Sequence, residues 1–156
     1  MSRTVPKDEL IAMVDHQLPA SSWLEVDQDR IDLFAEATED HQFIHVDPER
    51  AAATPLGSTI AHGFLTLSLL PRLNDELMLM PEGTLMTFNY GLDKVRFLQP
   101  VKSGKRLRLR SKILEVTPKS GGRILLKSEA KVEIEGESKP AVIAETLYLF
   151  VVGAGE

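Results

Sequence analysis

A carboxylate and an imidazole stand close together in the first third of the chain. The segment from Asp40 to His45 reads Asp-His-Gln-Phe-Ile-His, and a later Ala-His-Gly ends at Gly63, where an apolar run begins. Imidazole and carboxylate are the groups that most often move protons in catalysis, and a backbone N–H can stabilise developing negative charge. Asp40 and His45 are therefore candidates for activating a water molecule, and the N–H of Gly63 is a candidate for stabilising charge on a substrate oxygen.

The spacing of the first two residues bears on the element that carries them. Five residues of one helix correspond to about 500° of rotation, so Asp40 and His45 would not share a helical face. We therefore predict that residues 40–45 form a loop, which can curl so that both side chains meet at one water molecule. Functional residues often lie on loops that a rigid scaffold positions.

This pattern resembles the MaoC-like, R-specific enoyl-CoA hydratase family. The family signature has a Phe-Ala pair, a small residue, then Asp-x-Asn-Pro-x-His and a later Ala-His-Gly or Val-His-Gly. The matching positions here are Phe34, Ala35, Thr38, Asp40, His45 and residues 61–63. Residues 89–97 and Pro100-Val101 also resemble the later strand and turn of the family, so the resemblance extends over nearly the whole chain.

The sequence of the motif most resembles the nodulation-protein-N-like branch, in which Asp-His-Gln-aromatic-Ile-His-Val-Asp-Pro-Glu-Arg-Ala is usual. Gln42-Phe43 stands where the best-known members have Asn-Pro. The rigidity of the loop and any role of that Asn therefore do not transfer. Asp40, His45 and Gly63 occupy the motif positions, and the resemblance implies that the catalytic roles fall on them.

The resemblance implies hydration of a trans-2-enoyl thioester to an R-3-hydroxyacyl thioester, or the reverse. Asp40 and His45 would hold and activate one water, and the N–H of Gly63 would stabilise charge on the thioester oxygen. The sequence does not fix which of the two side chains delivers which proton. No cofactor is expected beyond the CoA or acyl carrier protein that carries the substrate.

Two other functional classes stay open. Hotdog folds, which the resemblance also implies, include thioesterases that use an acidic residue to hydrolyse the thioester, although the Asp40 and His45 pair with Ala-His-Gly argues against this activity. A noncatalytic acyl-binding or regulatory module is the other alternative, suggested by Gln42-Phe43 and by the nodulation-protein relatives.

Composition limits the remaining classes. The 156 residues suit one domain, 1–156, and the net charge of −5 disfavours nonspecific nucleic-acid binding. The sequence has no Cys, which excludes thiol nucleophiles and Cys-based zinc sites. We found no leader and no apolar run long enough for a membrane span, so we expect a cytoplasmic protein. His41, His45 and His62 match no metal-binding spacing, and we expect no metal.

Residues 94–112 contain eight of the 18 basic residues and no acid. Such a stretch could contact the phosphates of a nucleotide-bearing thioester, with Lys94 and Arg96 as the candidates. The alternation of Arg106, Arg108 and Arg110 is equally typical of the solvated face of a strand. Both interpretations remain open. The eight residues are Lys94, Arg96, Lys102, Lys105, Arg106, Arg108, Arg110 and Lys112.

Elements that could position the motif follow from periodicity and turn residues. We predict helices at 6–18, after Asp27, and at 48–53, a short strand at 23–26 and a loop at 54–58. Residues from Gly63 to about Met78 are apolar nearly all round, which predicts a buried central helix. Strands are predicted at about 84–90, 93–98, 106–117, 122–134 and 140–152, with turns at 121–122 and 135–136.

Long antiparallel strands around one central helix describe an α+β protein with a single hotdog domain, and the resemblance implies the same fold. An open sheet edge and the habit of the family predict at least a homodimer. His62 is expected to orient the loop or to cap the central helix. The candidate substrate-binding residues beside the motif are Phe43, Ile44, His62, Phe64, Leu67 and Phe88.

Overall fold

A computed structural model describes residues 3–153. It contains a five-stranded sheet, a two-stranded sheet and six short helices in that part of the chain. The strands are β1 (Arg3–Val5), β2 (Leu24–Val26), β3 (Leu79–Pro81), β4 (Thr84–Phe97), β5 (Lys105–Lys119), β6 (Arg123–Ile134) and β7 (Val142–Val152). The helices are α1 (Lys7–Ala12), α2 (Gln28–Thr38), α3 (Phe43–Val46), α4 (Pro48–Ala52), α5 (Gly63–Ser68) and α6 (Leu70–Asn74).

The larger sheet is antiparallel and has the order β2-β5-β6-β7-β4. The predicted turn between β5 and β6 is confirmed, because Gly121 and Gly122 have φ values of 71° and 66°, which glycine adopts without strain. Residues 84–90 and 93–98, predicted as two strands, form the single strand β4. Three register shifts against β7 bend this strand without ending it.

The N-terminal helix is shorter than predicted. The prediction of helix over 6–18 is wrong beyond Ala12, because backbone groups of Asp15, His16 and Leu18 form hydrogen bonds with strand β5. Asp15 has a φ of 67° and donates its N–H to the carbonyl of Ile113 at 2.8 Å, and Leu18 does the same to Ser111 at 2.8 Å. The parallel pairing of β1 with β3 was not predicted from the sequence.

The central helix is also interrupted. The prediction of one helix from Gly63 to about Met78 is wrong, since α5 and α6 are separated at Leu69 and α6 ends at Asn74. Pro71 lies in the first turn of α6 and has no N–H to donate to the preceding turn. The helix is not buried all round either, because Phe64 is 68% exposed.

The buried side of α5 and α6 packs on the inner face of the sheet. Leu65, Leu69 and Leu73 lie in the same buried cluster as Leu107 and Phe150. Burying a large apolar side chain stabilises a fold by roughly 1.5–3 kcal/mol. This packing fixes the start of α5 against the sheet and so fixes the position of Gly63.

No helix within residues 3–153 combines the length and apolar character that crossing a membrane would require.

Candidate active site

Helix α2 delivers Asp40 to the site. The Asp27 side chain accepts a hydrogen bond from the N–H of Arg30 at 2.9 Å and so begins the helix as predicted. Glu39 ends it in a left-handed conformation with a φ of 59°. The chain therefore turns sharply, and Asp40 follows directly after the helix as predicted, with its side chain 53% exposed.

The next residues correct the prediction of a loop over 40–45. Phe43 to Val46 form the one-turn helix α3, closed by a hydrogen bond from the N–H of Asp47 to the carbonyl of Phe43 at 3.0 Å. The sharp turn at Glu39 still brings the two groups together, since ligand atoms of Asp40, His45 and His62 all lie within 4.8 Å of one another.

His45 is buried, and one of its ring nitrogens is already used. Its Nδ1 lies 2.7 Å from the carbonyl of Ile60, which can only accept, so Nδ1 carries the hydrogen. Nε2 has no partner in the described part of the chain, and it is not among the buried unpaired atoms found there. Burial, together with repulsion from His62, lowers the pKa of His45, although the bond to Ile60 and the charge of Asp40 oppose this. The ring is therefore neutral at pH 7 and presents a free lone pair.

His62 lies directly against this ring. The two imidazole centroids are 3.8 Å apart and nearly parallel, and His62 is 3% exposed. Its Nε2 is 3.0 Å from the carbonyl of Asp40. The three side chains form a group that could hold a metal ion, but backbone carbonyls already engage one nitrogen of each imidazole. The absence of a metal stays a prediction.

Gly63 and His45 line one groove of about 290 Å³. Gly63 is the first residue of α5, and the preceding His62 makes no capping bond with its side chain, so the N–H of Gly63 is unpaired within the described residues. A Cβ at Gly63 would lie 3.1 Å from Cδ1 of Phe97. The absence of a Cβ at Gly63 therefore leaves space for the phenyl ring of Phe97.

Most residues that line this groove were not predicted as site residues, and Phe97, Thr66 and Gln99 are examples. Phe97 covers Gly63, and Thr66 and Gln99 line the same groove. Phe97 belongs to the segment 89–97 that resembles the family, which is the only sequence signal for it. Thr66 lies one helical turn after Gly63, and it would have followed from a correct orientation of α5.

The predicted acyl-binding residues are more scattered than expected. Phe43 lies under the guanidinium of Arg50 at 3.9 Å, and Phe88 lies on the exposed edge strand β4. Leu67 lines a separate cavity of about 430 Å³ beside β4 and β7. Phe64 is in edge-to-face contact with Phe97, with centroids 5.8 Å apart. Ile44 is half-buried and accepts the N–H of Ile60. Their contact with substrate stays a prediction.

Most of the basic stretch is already paired. Six of the eight side chains form ion pairs with acids, including Lys94 with Glu145 at 3.0 Å. The solvated-face interpretation describes these six. Arg96 bonds to the carbonyl of Val95 and forms no ion pair with a described residue, and it precedes the groove residue Phe97 in the chain. Arg96 therefore stays the better candidate for a phosphate contact.

Known proteins are similar to this chain in sequence. The family model "MaoC like domain" matches residues 11–135. The chain is 46% identical to 3-hydroxyacyl-thioester dehydratase Z of Mycobacterium tuberculosis, over 92% of this chain and 94% of that protein. It is 51% identical to nodulation protein N of Rhizobium leguminosarum bv. viciae, over 84% of this chain and 82% of that protein.

A solved structure is similar over nearly the full length. R-hydratase PhaJ1 from Pseudomonas aeruginosa, in the unliganded form, has a TM-score of 0.72 and 25% identity, covering 97% of this chain and 92% of that chain. This similarity confirms the predicted α+β hotdog fold. Because the family model covers most of the chain and the relatives match along almost its whole length, the chain belongs to the MaoC-like domain family.

Proposed function

We propose that this protein is a hydro-lyase that reversibly adds water to a trans-2-enoyl thioester and yields an R-3-hydroxyacyl thioester. The observation that carries the proposal is the convergence of three groups. His45, whose Nε2 is free, and Gly63 line one groove, and one carboxylate oxygen of Asp40 lies within 4.8 Å of one ring nitrogen of His45. The two hydro-lyase names among the similar proteins support the same class of reaction.

His45 and Asp40 would share one water molecule. Neutral His45 accepts one hydrogen of the water at Nε2, because Nδ1 is held by Ile60, and the carboxylate of Asp40 accepts the other. The water oxygen then attacks the β carbon while its proton passes to one of these groups. The pair returns one proton to the α carbon on the same face, so that one water is consumed for each substrate.

The N–H of Gly63 would serve the thioester oxygen. Attack at the β carbon moves negative charge onto this oxygen, and an unpaired backbone N–H is a suitable donor. Losing a donor of this kind typically raises a barrier by ~3 kcal/mol, which is on the order of 100-fold in rate. The reaction requires no cofactor beyond the CoA or acyl carrier protein that carries the acyl chain.

Crotonyl-CoA offers a direct test. Hydration removes the conjugated enoyl absorbance without releasing free thiol, and chiral analysis of the product should give the R isomer. Loss of absorbance with release of thiol would identify a thioesterase, and no reaction with retained binding would identify an acyl-binding module. Either result would overturn the proposal. Crotonyl carried on acyl carrier protein, assayed in parallel, identifies the preferred carrier.

We also propose that the protein is at least a homodimer. Strand β4 has 14 residues and lies at the edge of the sheet, bonded on one side to β7. It exposes large apolar side chains, and an unpaired edge of this kind favours pairing with another copy. These side chains are Leu85, Met86, Phe88, Tyr90 and Leu92. Sedimentation velocity should give a dimer, and a monomer at micromolar concentration would contradict the proposal.

A further inference from the structure

The second buried imidazole, His62, has contacts that the hydration mechanism does not use. Its ring lies between Phe34, with a centroid distance of 5.0 Å, and His45, with a centroid distance of 3.8 Å. Its Nε2 reaches the carbonyl of Asp40, whereas its Nδ1 is buried and has no hydrogen-bond partner. A buried polar atom without a partner is uncommon in a folded protein. The contacts that stabilise His62 at this position are therefore the hydrogen bond of Nε2 and the packing of its two ring faces.

The contacts fix the tautomer of His62. The carbonyl of Asp40 can only accept, so Nε2 carries the hydrogen and Nδ1 is a bare lone pair. His62 therefore acts as a donor to the backbone that carries Asp40.

Resting on the proposed function, we propose that His62 is a positioning residue for hydration. It holds the backbone of Asp40 through its Nε2–H, and it holds the ring of His45 through the stack. Asp40 otherwise follows a left-handed residue and has a half-exposed side chain, with only a long 3.4 Å bond from the N–H of Gln42. The bond from His62 is thus the one that ties the Asp40 carbonyl to the buried core among the described residues.

The stack also affects the charge of His45. The titratable groups that act on His45 are His62, whose positive form would repel it, and Asp40, which attracts its positive form. Replacing His62 with an uncharged side chain removes the repulsion and leaves the attraction. The pKa of His45 should therefore rise, and more of the ring should be protonated near neutral pH.

Two variants separate the two contacts. His62→Phe keeps a flat ring on His45 but removes the N–H, whereas His62→Gln keeps a donor near the position of Nε2 and removes the ring. His41→Gln is a matched control, because His41 is on the same turn but is half-exposed and bonds to Glu36. Each variant is examined by crotonyl-CoA kinetics, by NMR titration of the His45 ring and by amide hydrogen exchange of residues 39–42.

His62→Phe should lower kcat by on the order of 100-fold, as expected when a catalytic group is misplaced by about 1 Å, with KM changed by less than about threefold. Exchange of residues 39–42 should accelerate, and the pKa of His45 should rise. His62→Gln should raise this pKa as well, but it should leave exchange near the wild-type rate and lose less of kcat. His41→Gln should match the wild type in all three measurements.

If His62→Phe has the same kcat, the same amide exchange and the same His45 pKa as the wild type, then His62 only packs and the proposal is overturned. If His62→Phe does not fold, accelerated exchange of residues 39–42 in His62→Gln overturns it equally. Exchange and titration do not depend on turnover. A wild-type protein that leaves crotonyl-CoA unchanged would therefore refute the proposed function, while the positioning role would still be decided by these two measurements.

Discussion

Ionisable side chains are paired with one another on the outer face of the sheet, whereas those of the candidate site keep atoms without a partner. On the sheet, Arg106 bonds to Glu135, and Arg108 and Arg110 both bond to Glu133, across β5 and β6. We refer to these five residues as the ion-pair ladder. At the site, the carboxylate of Asp40 stays half-exposed and Nε2 of His45 has no partner among residues 3–153.

This difference separates groups that are paired within the sheet from groups that remain available to a substrate. Each arginine of the ion-pair ladder already faces a carboxylate, so a ligand would have to displace that carboxylate before it could bind. The site instead uses backbone carbonyls to fix one nitrogen of each imidazole and leaves an acceptor free. Polar groups that are oriented but unpaired can act on a substrate without rearranging. Four changes test the contrast, from the largest expected effect to the smallest.

Asp40→Asn and His45→Gln should each lower kcat/KM for crotonyl-CoA by about 100- to 10,000-fold, because each removes a group that accepts or returns a proton. Circular dichroism should be unchanged for Asp40→Asn, since that side chain is half-exposed. A variant that folds normally and keeps more than about a third of the activity would remove that residue from the mechanism.

Gly63→Val should lower turnover by on the order of 100-fold, the effect expected when access to a backbone donor is blocked, because its branches push Phe97 and crowd the groove. Gly63→Ala should be milder, since its Cβ meets the ring of Phe97 at 3.1 Å but that ring is 47% exposed and can move. Pairing Gly63→Ala with Phe97→Leu should restore activity if the loss is steric. Wild-type hydration by Gly63→Val would show that the substrate does not need the space beside this N–H, and it would contradict the close approach of a thioester oxygen at Gly63.

The pH profile of hydration should report the lowered pKa of His45. The pKa of His45 is lowered from 6.5, chiefly by burial, so the neutral base predominates at pH 7 and is lost as the pH falls through that lowered value. The profile of kcat/KM should therefore decrease about tenfold per pH unit on the acid side, with its midpoint below 6.5. A midpoint above 6.5 would mean that another group controls the step.

Glu133→Gln should leave kcat unchanged and cost roughly 1 kcal/mol or less of unfolding free energy at pH 7. Partial burial alone would raise the pKa of Glu133, but the bonds from Arg108 and Arg110 outweigh it and leave the pKa lowered. The stabilisation is therefore present above the pKa of the unfolded chain and is lost as the pH falls through the folded value. Urea unfolding at pH 7 and pH 3 checks this, and a large loss of kcat would contradict the contrast.

The motif and most of the sheet could be predicted because their signals are local. Alternating strand residues and Gly121-Gly122 encode a hairpin within a few neighbouring positions. Asp27 begins α2 by accepting a hydrogen bond from a nearby backbone N–H with its own side chain. The length of α1 could not be predicted in this way, because Asp15, His16 and Leu18 bond to a strand about a hundred positions later.

The sequence by itself determined which candidate groups are present, since Asp40, His45 and Gly63 occupy the positions of the family motif. Only the tertiary structure decided which atoms remain free. The carbonyl of Ile60 takes Nδ1 of His45, the carbonyl of Asp40 takes Nε2 of His62, and Phe97 covers Gly63. These contacts join residues from 15 to 34 positions apart, so they depend on how helices and sheet pack rather than on any local pattern.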